Sequence, residues 1–218
     1  MNFTHFNLNS IDNNVFFLFD LDGTLIDSEY IQWKSYNEAL KEYIIDLSFA
    51  NFIRICHNGN IKSYLINECG FGLENYNLLK NKKNLLMQEN CIKDLKLIKG
   101  VKELLEYINL NSINCAVVTN GAEFSVNLYK SLIPELNYIK NWIKREDYLN
   151  PKPSSECYKL AIKKFYKNEK SIIGFENSYS GYVALKNVTD NIYFITDTQY
   201  IYLDKIKNVK LIRDFNQY

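Results

Sequence analysis

Val15-Phe16-Phe17-Leu18-Phe19 is a continuous apolar run that stops abruptly at Asp20. A bounded run of this length predicts a strand buried on both faces, as in a parallel sheet. From about residue 100 the pattern alternates between two periods. Val101, Leu104, Leu105 and Ile108 recur at helical spacing after Gly100, so a helix is expected there. Cys115 to Val118 reads as a strand, Ala122 to Leu132 as a helix stopped before Pro134, and Tyr138 to Ile143 as a further strand. Pro153 and Ser154 open a helix with Cys157, Leu160, Ala161 and Phe165 on its apolar face. Ser171 to Phe175 predicts a strand, Gly181 to Val188 a helix, and Ile192 to Ile195 and Val209 to Ile212 two last strands. Strands alternating with helices in this way build a parallel sheet through right-handed crossovers. In such sheets ligands bind beyond the C-terminal ends of the strands.

One stretch breaks the alternation. Residues 28–98 carry helical periodicity without strand signals. Trp33, Tyr36, Leu40, Tyr43 and Ile44 form one apolar helix face, and Leu78 to Met87 suggests another helix. The division expected is an α/β core of residues 1–27 and 99–218 around an all-α insertion of 28–98. Lys80 to Lys83 read as a solvated helix face. The loop His57-Asn58-Gly59-Asn60 admits two readings, an ordinary turn or a substrate-reading loop in which His57 or Lys62 touches a polar ligand. Asp27 and Ser28 are placed to cap the first inserted helix.

Composition narrows the function. The 26 Lys and Arg nearly cancel the 25 Asp and Glu, leaving a formal net charge of +1. A nucleic-acid binder needs excess cation against phosphates, so that class is not expected. The 47% of apolar residues argues against disorder. Cys56, Cys69, Cys91, Cys115 and Cys157 are odd in number and form no C-x-x-C pair, which disfavours a disulfide scaffold or zinc ribbon. Met1 to Asn14 lacks a basic start and an apolar segment, and no run reaches the length of a bilayer span. A cytoplasmic protein with no membrane partner is the expectation.

Four polar clusters follow predicted strands or precede a helix: Asp20-Leu21-Asp22-Gly23-Thr24, Thr119-Asn120-Gly121, Lys152-Pro153 and Glu176-Asn177-Ser178. Each alone can be a turn. As a set they are chemically coherent. A carboxylate can attack phosphorus and split a hard displacement into two easier steps. A second carboxyl can protonate the leaving oxygen and later activate water. The phosphoryl oxygens need cationic neutralisation, which Lys152 and a divalent ion can supply. Thr119 can donate its hydroxyl to a phosphate oxygen, beside the donors of Asn120.

The four clusters, in this order and at these intervals, resemble the motifs of the haloacid dehalogenase superfamily. Phe-Asp20-Leu-Asp22-Gly-Thr24-Leu-Ile-Asp27-Ser28 is similar to its first motif and Val-Val-Thr119-Asn120-Gly to its second. Lys152-Pro and Gly-Phe-Glu176-Asn177-Ser178-Tyr-Ser-Gly181 occupy the places of the third and fourth. The resemblance is nearest to the β-phosphoglucomutase and phosphoglycolate phosphatase-like subgroup. It implies a parallel-sheet, Rossmann-like core with a helical cap between the first and second motifs. It also implies Asp20 as nucleophile, and Asp22 as general acid/base that lends its backbone carbonyl to Mg2+. Thr119 would bind the transferring phosphoryl group and Lys152 would steady the shared charge. An acid at position 22 favours phosphate esters over carbon–halogen bonds.

Two departures qualify this. Relatives carry Asp where this chain has Asn177, which leaves either Asn177 or Glu176 to meet the metal, the latter directly or through water. Mutase relatives carry His on the first cap helix where Gln32 stands. The expected function is a Mg2+-dependent phosphatase acting on a small phosphorylated metabolite through an aspartyl phosphate. A sugar phosphomutase on the same machinery and a binding module with a weakened metal site are the alternatives.

Overall fold

The computed structural model describes residues 3–7, 12–196 and 203–216. The chain divides into two compact units, residues 1–27 with 97–218, and residues 28–96. The second boundary falls two residues before the expected one. Leu97 bridges Ile26 in antiparallel fashion and Ile98 N–H bonds to Leu25 carbonyl at 3.0 Å, so 97 and 98 belong to the core.

The core is a six-stranded parallel sheet: β1 (Val15–Phe19), β2 (Asn114–Val118), β3 (Asn141–Ile143), β4 (Ser171–Glu176), β5 (Ile192–Ile195) and β6 (Lys210–Ile212). Their spatial order is β3-β2-β1-β4-β5-β6. The chain therefore winds outward from β1 on one side, then returns to β1's other edge and winds away. In sheets of this kind the reversal point, here the C-terminal ends of β1 and β4, is where ligands bind. The helices of this unit are α5 (Val101–Leu110), α6 (Glu123–Leu132), α7 (Glu156–Phe165) and α8 (Tyr179–Lys186).

β1 is wholly buried because both faces are covered. Phe16 and Leu18 join a cluster with Cys157, Tyr158 and Ala161 of α7 and Leu185 of α8. Phe17 lies against Phe6 and Phe175 on the opposite face. Phe6 is fully buried, with Phe175 at 5.1 Å and Tyr193 at 4.9 Å, both edge-on. The polar N-terminal segment thus delivers one aromatic plug, worth about 1.5–3 kcal/mol of burial. His5 beside it is exposed.

The helices after Lys152 and Glu176 start away from their expected first residues. α7 begins at Glu156, and its carboxylate accepts from the Leu149 and Asn150 amides at 2.7 and 3.0 Å, which fixes the preceding loop. α8 begins at Tyr179, capped by Ser178, whose Oγ accepts from Gly181 N–H at 3.0 Å.

The inserted unit holds α1 (Glu29–Leu40), α2 (Phe49–Asn58), α3 (Ile61–Asn67) and α4 (Leu73–Asp94). The helix expected through Ile44 ends earlier. Ile44 adopts φ 56° and is 97% exposed, so it turns the chain instead of joining the apolar face. Ser28 occupies the N-cap position of α1 without a side-chain capping bond. Ser48 and Asn60 cap α2 and α3, accepting from Asn51 and Ser63 amides at 3.3 and 2.9 Å. Within the basic stretch of α4, Lys83 is buried: its ammonium lies 3.1 Å from Met87 Sδ and 5.0 Å from the Tyr36 ring centre. Among the described residues no helix is long and apolar enough to cross a membrane.

Candidate active site

Asp20 follows the last residue of β1, and its amide continues the ladder to Phe175 carbonyl at 3.0 Å. Phe19 pairs with Phe175, so Asp20 and Glu176 emerge from adjacent strands. Lys152 reaches both from the loop before α7. Its ammonium donates to Asp20 Oδ1 at 2.6 Å, Glu176 Oε1 at 2.6 Å and Val118 carbonyl at 2.9 Å. All three charged groups are buried, and the Lys152–Pro153 peptide bond is cis.

Glu176 is the most fully engaged. Oε1 accepts from Lys152 and from Tyr158 OH at 2.8 Å. Oε2 accepts from the Asn177 and Ser178 amides at 3.0 and 3.2 Å and from Ser178 Oγ at 3.1 Å. A Cβ on Gly181 would overlap this carboxylate, so the first turn of α8 can pass here only with glycine. The Lys152 ammonium also lies 4.8 Å from the Tyr158 ring centre.

The electrostatics follow from two carboxylates sharing one ammonium away from water. Burial pushes the Asp20 carboxyl well above the usual carboxylate range; Lys152 opposes this and the charge of Glu176 adds to it. Burial works against the Lys152 charge too, but Asp20 and Glu176 outweigh it and hold the ammonium protonated well above its usual range. Two carboxylates thus share a single ammonium in this buried cluster.

Thr119 and Asn120 follow β2. Thr119 N–H bonds to Ile143 carbonyl at 3.0 Å, and its Oγ1 accepts from Gly121 N–H at 2.8 Å, which leaves the hydroxyl hydrogen to donate outward. Asn120 Oδ1 accepts from Lys152 N–H at 3.2 Å and Tyr148 OH at 2.7 Å, bracing the lysine loop. Asp22 sits on the turn after β1, where Gly23 N–H bonds to Ile26 carbonyl at 2.9 Å. Its Oδ1 accepts from Tyr129 OH at 3.1 Å. A Cβ on Gly121 would lie 3.0 Å from Thr119 Oγ1 and 3.3 Å from Asp22 Oδ2, so these two polar atoms border one small space beside a glycine. Asn177, also buried, accepts at Oδ1 from Thr24 Oγ1 at 3.4 Å.

Asp20, Asp22, Thr119, Asn120, Lys152, Glu176 and Asn177 therefore gather at the C-terminal ends of β1, β2 and β4. His57 and Lys62 belong to the helical unit. His57 is not in the loop but in the last turn of α2, buried, with Nε2 2.6 Å from Glu29 Oε1. Lys62 is exposed on α3, its ammonium 5.5 Å from the Tyr76 ring centre. The sequence reading missed Tyr129, Tyr148 and Tyr158, which donate to Asp22, Asn120 and Glu176. Each sits at ordinary core spacing, so nothing in the pattern separates them from packing residues.

Several solved structures share this fold. A hydrolase of the haloacid dehalogenase type, family IA variant 3, from Entamoeba histolytica matches at 24% identity, with TM-score 0.77 over 93% of this chain and 94% of that one. A predicted phosphoglycolate phosphatase from Haemophilus somnus matches at 20% identity, TM-score 0.77, over 94% and 96%. CbbY from Rhodobacter sphaeroides, in complex with xylulose-1,5-bisphosphate, matches at 16% identity, TM-score 0.76, over 92% and 94%. At these identities the likeness is one of fold. A sequence profile described as haloacid dehalogenase-like hydrolase matches residues 17–192, from within β1 to the first residue of β5, and the chain belongs to that family.

Proposed function

We propose that this protein is a Mg2+-dependent phosphatase of a small phosphorylated metabolite, working through an aspartyl phosphate on Asp20. The observation that carries the reading is the buried Asp20–Lys152–Glu176 cluster, with both Lys152 contacts at 2.6 Å, at the strand ends where the winding reverses. Lys152 binds Oδ1 of Asp20, so Oδ2 is the attacking oxygen. In the first half-reaction the Oδ2–phosphorus bond forms, the ester phosphorus–oxygen bond breaks, and a carboxyl proton of Asp22 passes to the departing oxygen. In the second, Asp22 takes a proton from water as that water attacks phosphorus, and the bond to Asp20 breaks, releasing phosphate. The Thr119 hydroxyl and the amides after β2 hold the phosphoryl oxygens.

The family generally uses Mg2+, and the residues here fit a hard cation. Two carboxylates with one ammonium between them suit a second cation, and Asp20, the main-chain carbonyl of Asp22 and Asn177 Oδ1 offer oxygen donors of the kind it takes. Bound there, it would neutralise charge on the phosphoryl group. We assign Glu176 to holding Lys152 and the loop before α8, because both its oxygens already accept hydrogen bonds. Asn120 acts as a brace for Lys152. The likeness to a phosphoglycolate phosphatase and to a protein that binds a sugar bisphosphate points to small phosphorylated metabolites as the substrate class. The cytoplasm, where such metabolites are found, is part of this proposal.

The test is phosphate release from a panel of phosphorylated metabolites with Mg2+, beside an Asp20→Asn variant. Release by the parent and none by the variant is the expected result. Silence of the parent across the panel at high Mg2+ would overturn the enzyme reading in favour of a binding module. Isomerisation of a sugar phosphate with little free phosphate would replace it with a mutase.

A further inference from the structure

We infer that the outer face of α4 is a self-pairing seam, on which two copies of this chain meet with their α4 helices antiparallel about Leu85. α4 is the longest helix among the described residues, and its inner face carries Tyr76, Leu79, Met87 and Cys91, all buried. Leu78, Leu85 and Ile92 are left outside, 58%, 65% and 70% exposed. One exposed leucine is ordinary. These three recur every seven residues, which returns a side chain to within about 20° of the same line along a helix. Apolar residues at that interval are what paired helices bury between them.

The polar residues between them point to a second copy as the partner. Lys82 and Glu89 lie three residues before and four after Leu85, on one flank of the stripe; Asn81 and Gln88, four before and three after, lie on the other. Asn81, Gln88 and Glu89 are exposed and Lys82 is partly so. A twofold axis through Leu85, perpendicular to the helix, sets Leu85 against Leu85 of the second copy and Leu78 against its Ile92. It also sets each flank beside the same flank of the other copy. Lys82 then meets Glu89 of the second copy, Asn81 meets its Gln88, and symmetry supplies both pairs twice. In a parallel pair the charged flank of each helix would face the amide flank of the other, and no ion pair would form. Lys82 also holds Glu42 of its own chain, with the two side chains 36% and 61% exposed; an ammonium has three hydrogens to share. Seven residues a side are few beside the roughly 20–30 of a standard interface. The dimer should therefore be weak, half dissociated at about 10–100 µM chain.

The experiment is sedimentation equilibrium of the full chain from about 1 to about 500 µM, a range that brackets the expected midpoint. Leu85→Lys puts two ammonium groups on the twofold axis and should weaken the dimer at least about tenfold. The position is exposed and lysine is as good a helix former as leucine, so the melting temperature should stay within about 2 °C of the parent. Lys82→Glu alone and Glu89→Lys alone each set like charges together twice, and each should weaken the dimer about fivefold. Both changes in one chain rebuild the same ion pair with its ends exchanged, and should return the dissociation constant to within about twofold of the parent. Raising the salt should shrink the effect of the single charge changes and leave that of the apolar stripe. A parent that stays monomeric through the whole range would overturn the inference, as would a dimer indifferent to Leu85→Lys. Losses from Lys82→Glu and Glu89→Lys that add instead of cancelling would also overturn it, since they exclude the antiparallel pairing about Leu85.

Discussion

The Glu176 side of the strand-end cluster and the Asp22 side are built on opposite terms. At Glu176 both carboxylate oxygens are taken up, by Lys152, Tyr158, two amides and a hydroxyl, and the next helix passes so close that only glycine fits. At Asp22 one oxygen is tethered by Tyr129, while the other borders a small space shared with the Thr119 hydroxyl. One side holds charge in place, and under the proposed function the other meets the substrate. A buried carboxylate with every lone pair occupied is a structural anchor even when it lies beside the reacting group. Mutations should therefore separate the two sides, with stability lost on the first and turnover on the second.

The harshest break is Lys152→Met. It leaves Asp20 and Glu176 buried together without their shared cation, and removing one partner of such a pair costs about 3–5 kcal/mol. Phosphate release should fall by at least about 10²–10³-fold, as expected when charge stabilisation at the reacting group is removed. Urea denaturation and phosphate release read the two losses. A variant as stable as the parent would show that the cluster is not the anchor described.

Next in size is a matched pair of glycine substitutions. Gly181 lies inside α8, where alanine favours a helix by about 1 kcal/mol. Against that, a Cβ would enter the Glu176 carboxylate, and overpacking of this kind costs about 1–3 kcal/mol or more. The clash should win, so Gly181→Ala lowers the melting temperature. For Gly121→Ala the nearest atoms are side-chain ones that can give way, Thr119 Oγ1 at 3.0 Å and Asp22 Oδ2 at 3.3 Å. Its stability should stay within about 0.5 kcal/mol of the parent. Its kcat/KM should drop tenfold, about 1.4 kcal/mol of lost transition-state binding, because the methyl fills the space these two atoms face. Reversed effects would dissolve the contrast between the two sides.

These differences also explain what could be read along the chain. β1, β2, β4 and β5 are short runs buried on both faces, and continuous apolar runs are how such strands announce themselves. β3 is harder, because residues 134–138 form a 3₁₀ turn and leave only Asn141–Ile143 to pair. Asp20 and Thr119 stand out as polar residues ending apolar runs, while Asp22 and Lys152 become legible only as parts of the ordered set of clusters. The tyrosines that orient them do not, since a phenol uses its ring for packing and only its last atom for the site. His57 misleads in the other sense: an Asn-Gly dipeptide marks a turn, yet the preceding residue is the buried end of α2, held against Glu29. Ile44 and Lys83 exchange their expected environments, because a left-handed turn ejects the first and a thioether and an aromatic ring receive the second. Periodicity sees which residues share a face, not where the chain stops or which buried partner awaits a charge.

The finest test concerns Asn177, where the resemblance to the family's fourth motif leads to an expectation of aspartate. Asn177 is buried beside Glu176 and accepts a hydrogen bond from Thr24. Changing it to aspartate adds a third carboxylate beside two that already share one ammonium. Without a divalent ion, like charges at this spacing should lower stability and hence the melting temperature. With Mg2+, the added charge should tighten binding about tenfold, about 1.4 kcal/mol. A ligand that binds only the folded state raises its melting temperature in proportion to the logarithm of concentration over affinity. The Asn177→Asp chain should therefore start below the parent and meet it as Mg2+ rises, in a titration that needs no substrate. If both chains melt alike at every Mg2+ concentration, the side chain at 177 does not face the cation, and the open side of the cluster ends at Asp22.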